Sequence, residues 1–139
     1  FGVDVGYTNW SSFKELVVEY DNELQPDSIS EFDWNNTWFY SVGGDYRLND
    51  RWTVRAGVAY DKTPTHIGTR TPRVPDGNRT WIAFGLAYDY SDHMRFDLGY
   101  VHLFVDDAKI DHTSVTFSEL QGQFESKGDI LGMSASYRF

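Results

Sequence analysis

The 139-residue sequence contains no cysteine, so no disulfide can hold the fold, and thiols say nothing about its compartment. It also has no long hydrophobic run. The longest nearly apolar stretch, WIAFGLA at residues 81–87, falls far short of the roughly 18 apolar residues of a membrane-spanning helix. If the chain meets a membrane, strands must do the crossing. Positive charge is scarce as well: 12 Lys and Arg face 21 Asp and Glu, a formal net charge of -9. That balance argues against a nucleic acid partner, whose phosphates require a basic surface. Helical periodicity is missing too, apart from a weak trace in SSFKELVVEY at residues 11–20. The first residue, Phe1, is neither an initiator methionine nor the start of a signal peptide, so any targeting segment is expected upstream of it.

What the sequence does hold is the composition of a sheet. Aromatic residues make up 17%, glycine and β-branched residues are frequent, and strict alternation recurs. In RWTVRAGVAYD (51–61), Trp52, Val54, Ala56, Val58 and Tyr60 point one way, while Thr53, Arg55, Gly57, Ala59 and Asp61 point the other. RTWIAFGLAYDY (79–90), MRFDLGY (94–100) and TWFYSVGGDYRL (37–48) repeat the pattern. The opening segment sets Val3, Val5 and Tyr7 on one face, then resumes with Leu16, Val18 and Tyr20 at the opposite parity; a bulge near TNWSS would restore a common face. Six strands are therefore expected, at about 2–20, 34–48, 51–61, 79–90, 94–107 and 125–139. Their connections alternate: LND and SDH are tight turns, whereas residues 21–33, 62–78 and about 108–124 form long polar loops. Short turns on one side and long loops on the other are the habit of outer-membrane barrels.

The last residues, LGMSASYRF, fit the same reading. Leu131, Met133, Ala135, Tyr137 and Phe139 share one parity, opposite Gly132, Ser134, Ser136 and Arg138. In a membrane barrel the apolar row faces lipid, and Tyr137 and Phe139 join the periplasmic aromatic girdle. The rival is a soluble sandwich or lipocalin-like barrel, with the apolar side turned inward. The fold class expected is all-β: an antiparallel up-and-down transmembrane β-barrel.

Three stretches, TNWSSFKEL (8–16), TPRVPDGNRTW (71–81) and FDLGYVHLFVDDAKI (96–110), closed by the terminal SYRF, together resemble the FadL-type family of outer-membrane transporters for long-chain fatty acids and aromatic hydrocarbons. The resemblance implies a fourteen-stranded barrel plugged by an N-terminal hatch, of which residues 1–139 correspond to the last six strands. On that basis the chain is a single partial β-barrel domain, without the hatch and the earlier strands. Six strands lie below the eight of the smallest single-chain outer-membrane barrels, so a fragment with two open edges is expected. The resemblance also implies location in the outer membrane of a Gram-negative bacterium, passive uptake of a fatty acid or hydrocarbon, and no cofactor. The implied route is capture by extracellular loops, transfer to an apolar pocket, and release through a lateral wall opening after the hatch moves. Implied partners are outer-membrane lipid, the hydrophobic substrate, and the outer-membrane assembly machinery, which would read the strand ending at Phe139.

Candidate binding residues lie on the inward parity. Near the short turns that face is charged, with Asp45 expected opposite Arg55 and Asp89 opposite Arg95, each pair contributing about 0.2–1 kcal/mol. Nearer the long loops it carries Phe39, Trp81, Val101, Leu103 and Val105, with Trp10 and Val17, an apolar lining of use to a carrier of greasy ligands. A bulge near Tyr100 would instead turn Val101, Leu103 and Val105 to lipid. In TPRVPDGNR, two prolines and a strong turn signal indicate an ordered loop. Arg73 and Arg79 bracket Asp76 there, and either they pair locally or one attracts a carboxylate; Lys14 is a third candidate. His66, His93, His102 and His112 lack metal-ligand spacing. His102 near Asp106 with Ser114 or Ser118 is too loose a set for hydrolysis, so no enzymatic activity is expected. The alternatives to uptake are a general porin or structural barrel, with a polar lumen, and a soluble lipid-binding β-protein.

Overall fold

The computed structural model describes residues 1–22, 24–68, 70, 72–112 and 120–139, without the side chains of His112 and Leu120. Ser114 and Ser118 therefore lie outside the described residues. Six strands build one antiparallel sheet in the order β1 (Gly2–Thr8), β4 (Thr37–Arg47), β5 (Trp52–Asp61), β6 (Arg79–Asp89), β7 (Met94–Val105) and β10 (Lys127–Tyr137). Two small hairpins stand apart from this wall, β2 (Glu15–Val18) with β3 (Ser28–Glu31), and β8 (Ala108–His112) with β9 (Leu120–Phe124).

Every wall strand pairs with its neighbours in unbroken register, so the alternation written in each strand becomes a two-faced sheet. Val58 lies between Val42 and Ile82; Leu98 lies between Leu86 and Met133. None of the described residues covers this apolar face: Phe84 is 57% and Met133 79% exposed. The only buried apolar residues among those described are Ala87, Ala108 and Ile110. A soluble sandwich would enclose Val54, Phe84, Leu98 and Met133, and the described residues form no such interior. A bare apolar face on an antiparallel wall is what a hydrocarbon solvent permits.

The aromatic residues mark how the wall is tilted. Tyr7 pairs with Trp38, and Tyr40 with Tyr60. Two strands on, Tyr100 sits opposite Phe84, two outward rows lower in register. One register row runs Val3, Val42, Val58, Ile82, His102, Asp129, from apolar to ionic. Strands in a barrel are inclined by about 35–45°, so a row at right angles to them climbs out of the hydrocarbon as it crosses the wall. At the short-turn end, Trp52 and Tyr88 pack at 4.4 Å between ring centroids, and Tyr137 and Phe139 at 5.1 Å. The Arg138 amide donates to the His93 carbonyl at 2.8 Å, clipping the last residues to the turn between β6 and β7.

Two sequence-based expectations need correction. The opening strand ends at Thr8 rather than near residue 20. A single 3-10 turn at Trp10–Ser12 follows, closed by the Phe13 amide on the Trp10 carbonyl at 2.9 Å and by Ser12 Oγ on the Asn9 carbonyl at 2.8 Å. The chain then leaves the wall, so Leu16, Val17 and Val18 belong to the β2–β3 hairpin, and the parity change at TNWSS marks an exit rather than a bulge. Second, the stretch after Val105 is not simply loop: Ala108–His112 and Leu120–Phe124 pair as a hairpin. No bulge occurs near Tyr100; β7 stays in register from Met94 to Val105, which keeps Val101, Leu103 and Val105 on the inward face.

Candidate functional site

The inner face changes character along its height. At the short-turn end it holds an ion-pair chain: Arg55 Nη1 to Asp97 Oδ1 at 2.9 Å, Arg95 Nε to Asp97 Oδ2 at 3.1 Å, and Arg95 Nη1 to Asp89 Oδ1 at 3.4 Å. Asp89 and Arg95 pair as expected from register. Asp45 is indeed opposite Arg55, but Arg55 turns away from it and reaches across β6 to Asp97. The crossing is possible because Gly85 lies between them. A Cβ at that position would sit 3.3 Å from Arg55 Cβ, a tight contact that would press on the guanidinium stem where it lies over the strand. With Gly43, Gly57, Gly99 and Gly132 on the neighbouring strands, this part of the face is an open hollow of about 800 Å3.

Above it, at the long-loop end, lies a second cavity of about 560 Å3. Four elements meet there. The turn after β1 contributes Trp10, the segment before β4 contributes Trp34, β4 contributes Phe39, and the loop after β5 supplies Arg73 and Asp76. Trp10 and Trp34 pack edge to face at 5.3 Å, and Trp34 continues into Phe32 and Phe13 at 5.1 and 5.5 Å. This aromatic cluster gives the first loop a core of its own and fixes one wall of the cavity.

The opposite wall is fixed by polar contacts. Arg79 Nη1 meets Asp61 Oδ2 at 3.1 Å, and its Nη2 makes a short ion pair with Asp76. Thr63 Oγ1 donates to Asp76 Oδ2 at 2.6 Å, and Thr65 Oγ1 to the Asp76 carbonyl at 3.3 Å. Asn78 Nδ2 donates to Asp106 Oδ2 at 3.0 Å, while the Asp106 amide returns to the Asn78 carbonyl at 2.8 Å. Between these bonds the backbone at Gly77 passes so close to Asp106 that any Cβ there would overlap the Asp106 carbonyl. Arg70 extends the network to the Lys109 carbonyl at 3.0 Å, and the Asn35 amide reaches the Pro64 carbonyl at 2.9 Å. The long loops thus form one cross-braced layer over the wall.

The sequence-derived candidates divide into three groups. Trp10, Phe39, Arg73 and Arg79 border the upper cavity together. Trp81, Val101, Leu103 and Val105 form an adjoining half-buried strip on the inner face of β6 and β7: Leu103 lies opposite Trp81, and Val105 opposite Arg79. The Trp81 Nε1 is buried there without a hydrogen-bond partner. Lys14 stands outside both groups; it is exposed beside β2, where its carbonyl accepts from the Phe32 amide at 2.8 Å, and it does not border the cavity. Val17, also on the hairpin, is 43% exposed. The two arginines differ in state. Arg79 is held between two carboxylates, whereas exposed Arg73 has no ion pair or hydrogen bond among the described residues.

Sequence reasoning missed Trp34 and the role of Asp61. Asp61 was legible as an inward residue directly before the loop; Trp34 precedes its strand, where alternation carries no signal. His102 does not approach Asp106. Its Nδ1 lies 2.7 Å from Asp129 on the outward face, with the Tyr100 hydroxyl donating to the same carboxylate oxygen at 2.6 Å.

Comparison with known proteins follows the same lines. A family model described as "Outer membrane protein transport protein (OMPP1/FadL/TodX)" matches residues 1–139. The chain is 32% identical to the 47 kDa outer membrane protein of Pasteurella multocida, over 96% of this chain and 29% of that one. It is 28% identical to the long-chain fatty acid transport protein of Escherichia coli strain K12, over 97% of this chain and 29% of that one. A crystal structure of a Pseudomonas aeruginosa FadL homologue matches with a TM-score of 0.86 at 35% identity, covering 97% of this chain and 31% of that one. The chain therefore spans about a third of the length of these relatives.

Proposed function

The chain belongs to the OMPP1/FadL/TodX family of outer membrane transport proteins, found in the outer membrane of Gram-negative bacteria, and from that premise we propose that it serves passive uptake of long-chain fatty acids or related hydrophobic compounds. Its contribution is part of the wall and of the entrance. The loop layer presents the upper cavity, whose aromatic side takes an apolar chain. Arg73, a cation at its edge with no ion pair or hydrogen bond among the described residues, takes an anionic head by a charge-assisted hydrogen bond. Val105, Leu103, Val101 and Trp81 continue an apolar surface down the inner face, along which the chain of a ligand can descend. Transport of this kind involves no chemical step at these residues.

The observation that carries the reading is the cavity itself, bordered both by the aromatic residues Trp10, Trp34 and Phe39 and by the cation Arg73. A general porin has little use for such a lining. The test is fatty-acid binding by the protein purified from outer membranes in detergent, followed by uptake in cells. Phe39→Ala and Trp10→Ala are expected to weaken binding of both acids and neutral hydrocarbons. Arg73→Gln is expected to weaken binding of the acid alone, by about tenfold for the loss of one charged hydrogen bond. Unchanged binding in all three variants, together with liposome swelling by sugars, would favour the porin instead.

A further inference from the structure

Five ionisable side chains border the upper cavity: the acids Asp61 and Asp76, and the bases Lys62, Arg73 and Arg79. They leave one positive charge. Register sets Asp61 directly across from Arg79 on β5 and β6, and the loop brings Asp76 onto the other guanidinium nitrogen. Arg79 is thereby surrounded by negative charge. Asp76 is itself fixed by Thr63 and by the braces of the loop on Asp106, so the arrangement does not depend on a flexible side chain finding its partner.

We propose that Asp61 and Asp76 are specificity-determining residues of this cavity: by holding Arg79 between them they limit the site to heads that are uncharged or carry a single negative charge. The inference rests on the binding role given to the cavity above. A second negative charge on the same head would meet Asp61 and Asp76 rather than Arg79, in a partly desolvated setting where like charges at short range are costly. An alkyl phosphate, which carries nearly two negative charges at pH 8, is excluded on this ground, whereas a carboxylate of equal chain length is accepted. The apolar part of the site treats the two alike.

The experiment compares dodecanoate with dodecyl phosphate at pH 8, read by quenching of the tryptophans that line the cavity, on the protein in non-ionic detergent. The protein is expected to bind the carboxylate more tightly. Asp61→Asn and Asp76→Asn are each expected to move the affinity ratio toward the phosphate by about tenfold. Asp61→Asn leaves the Thr63 contact intact, so it reports on charge even if Asp76→Asn loosens the loop. Asp92→Asn, in the turn between β6 and β7, controls for total charge and should leave the ratio alone. A ratio that stays within about twofold in both cavity variants, while Arg73→Gln still weakens dodecanoate, overturns the inference and leaves the binding site standing. Failure of either ligand to bind, with no effect of Arg73→Gln or Phe39→Ala, removes the binding reading and the inference with it.

Discussion

Arg55 shows how a single side chain chooses between two partners. It faces Asp45 in register but pairs with Asp97, because Gly85 leaves a groove across β6 and because Asp97 already holds Arg95. A carboxylate shared by two guanidinium groups uses both its oxygens. The pairing is partly exposed, so its worth is modest and screened by salt. In a double-mutant cycle on thermal unfolding in micelles, Arg55 and Asp97 are expected to couple by about 0.5–1 kcal/mol. Arg55 and Asp45 should give a coupling near zero. A larger value for the second cycle would restore the partner that strand register alone names. The same logic separates Arg73 from Arg79: sequence places both beside Asp76, and only the fold shows that Asp61 completes a clamp around one of them.

Among the elements, the wall strands were largely legible from alternation. Strands β5, β6 and β7 begin and end within two residues of the expected bounds, because hydrocarbon on one side and the lumen on the other impose a period of two without exception. Face assignment makes a direct prediction. Leu98→Arg, in the middle of the outward row between Leu86 and Met133, is expected to destabilise folding in lipid vesicles by about 2–4 kcal/mol. Ser134→Arg, one residue from Met133 but on the lumen face, should be tolerated; equal damage from both would mean the two faces are wrongly named. The loops were read less well. The first long connection was expected to begin after Tyr20, yet the chain leaves the wall at Thr8. A 3-10 turn and a hairpin keep enough apolar residues to imitate a continuing strand, and pairing partners, not periodicity, tell them apart.

For the whole molecule, the decisive feature is that the sheet is open. Its outermost strands, β1 and β10, each have one wall neighbour, and an unpaired edge in hydrocarbon leaves N–H and C=O groups unsatisfied at several kcal/mol each. A polypeptide restricted to these 139 residues is therefore expected to aggregate on transfer into lipid vesicles. It should not give the compact, heat-modifiable band of a closed barrel on a gel. A stable monomeric band would show that the wall closes on itself. The chain spans about a third of its relatives, so uptake is a property to be measured on the protein as it stands in the outer membrane.

The sequence by itself determined which residues of each strand share a face, apolar on one side and polar or small on the other, since neighbouring side chains on an extended backbone must point opposite ways whatever the strands do next. It also determined where the tight turns fall, and the charge left over. Only the tertiary structure decided that Trp10, Trp34, Phe39 and Arg73 share a cavity, that Arg55 reaches Asp97, and that Arg79 is held between Asp61 and Asp76. Those facts depend on how the strands pair in register and on loops bracing one another across the wall. Both arise from contacts between segments far apart in the chain, which no local pattern records.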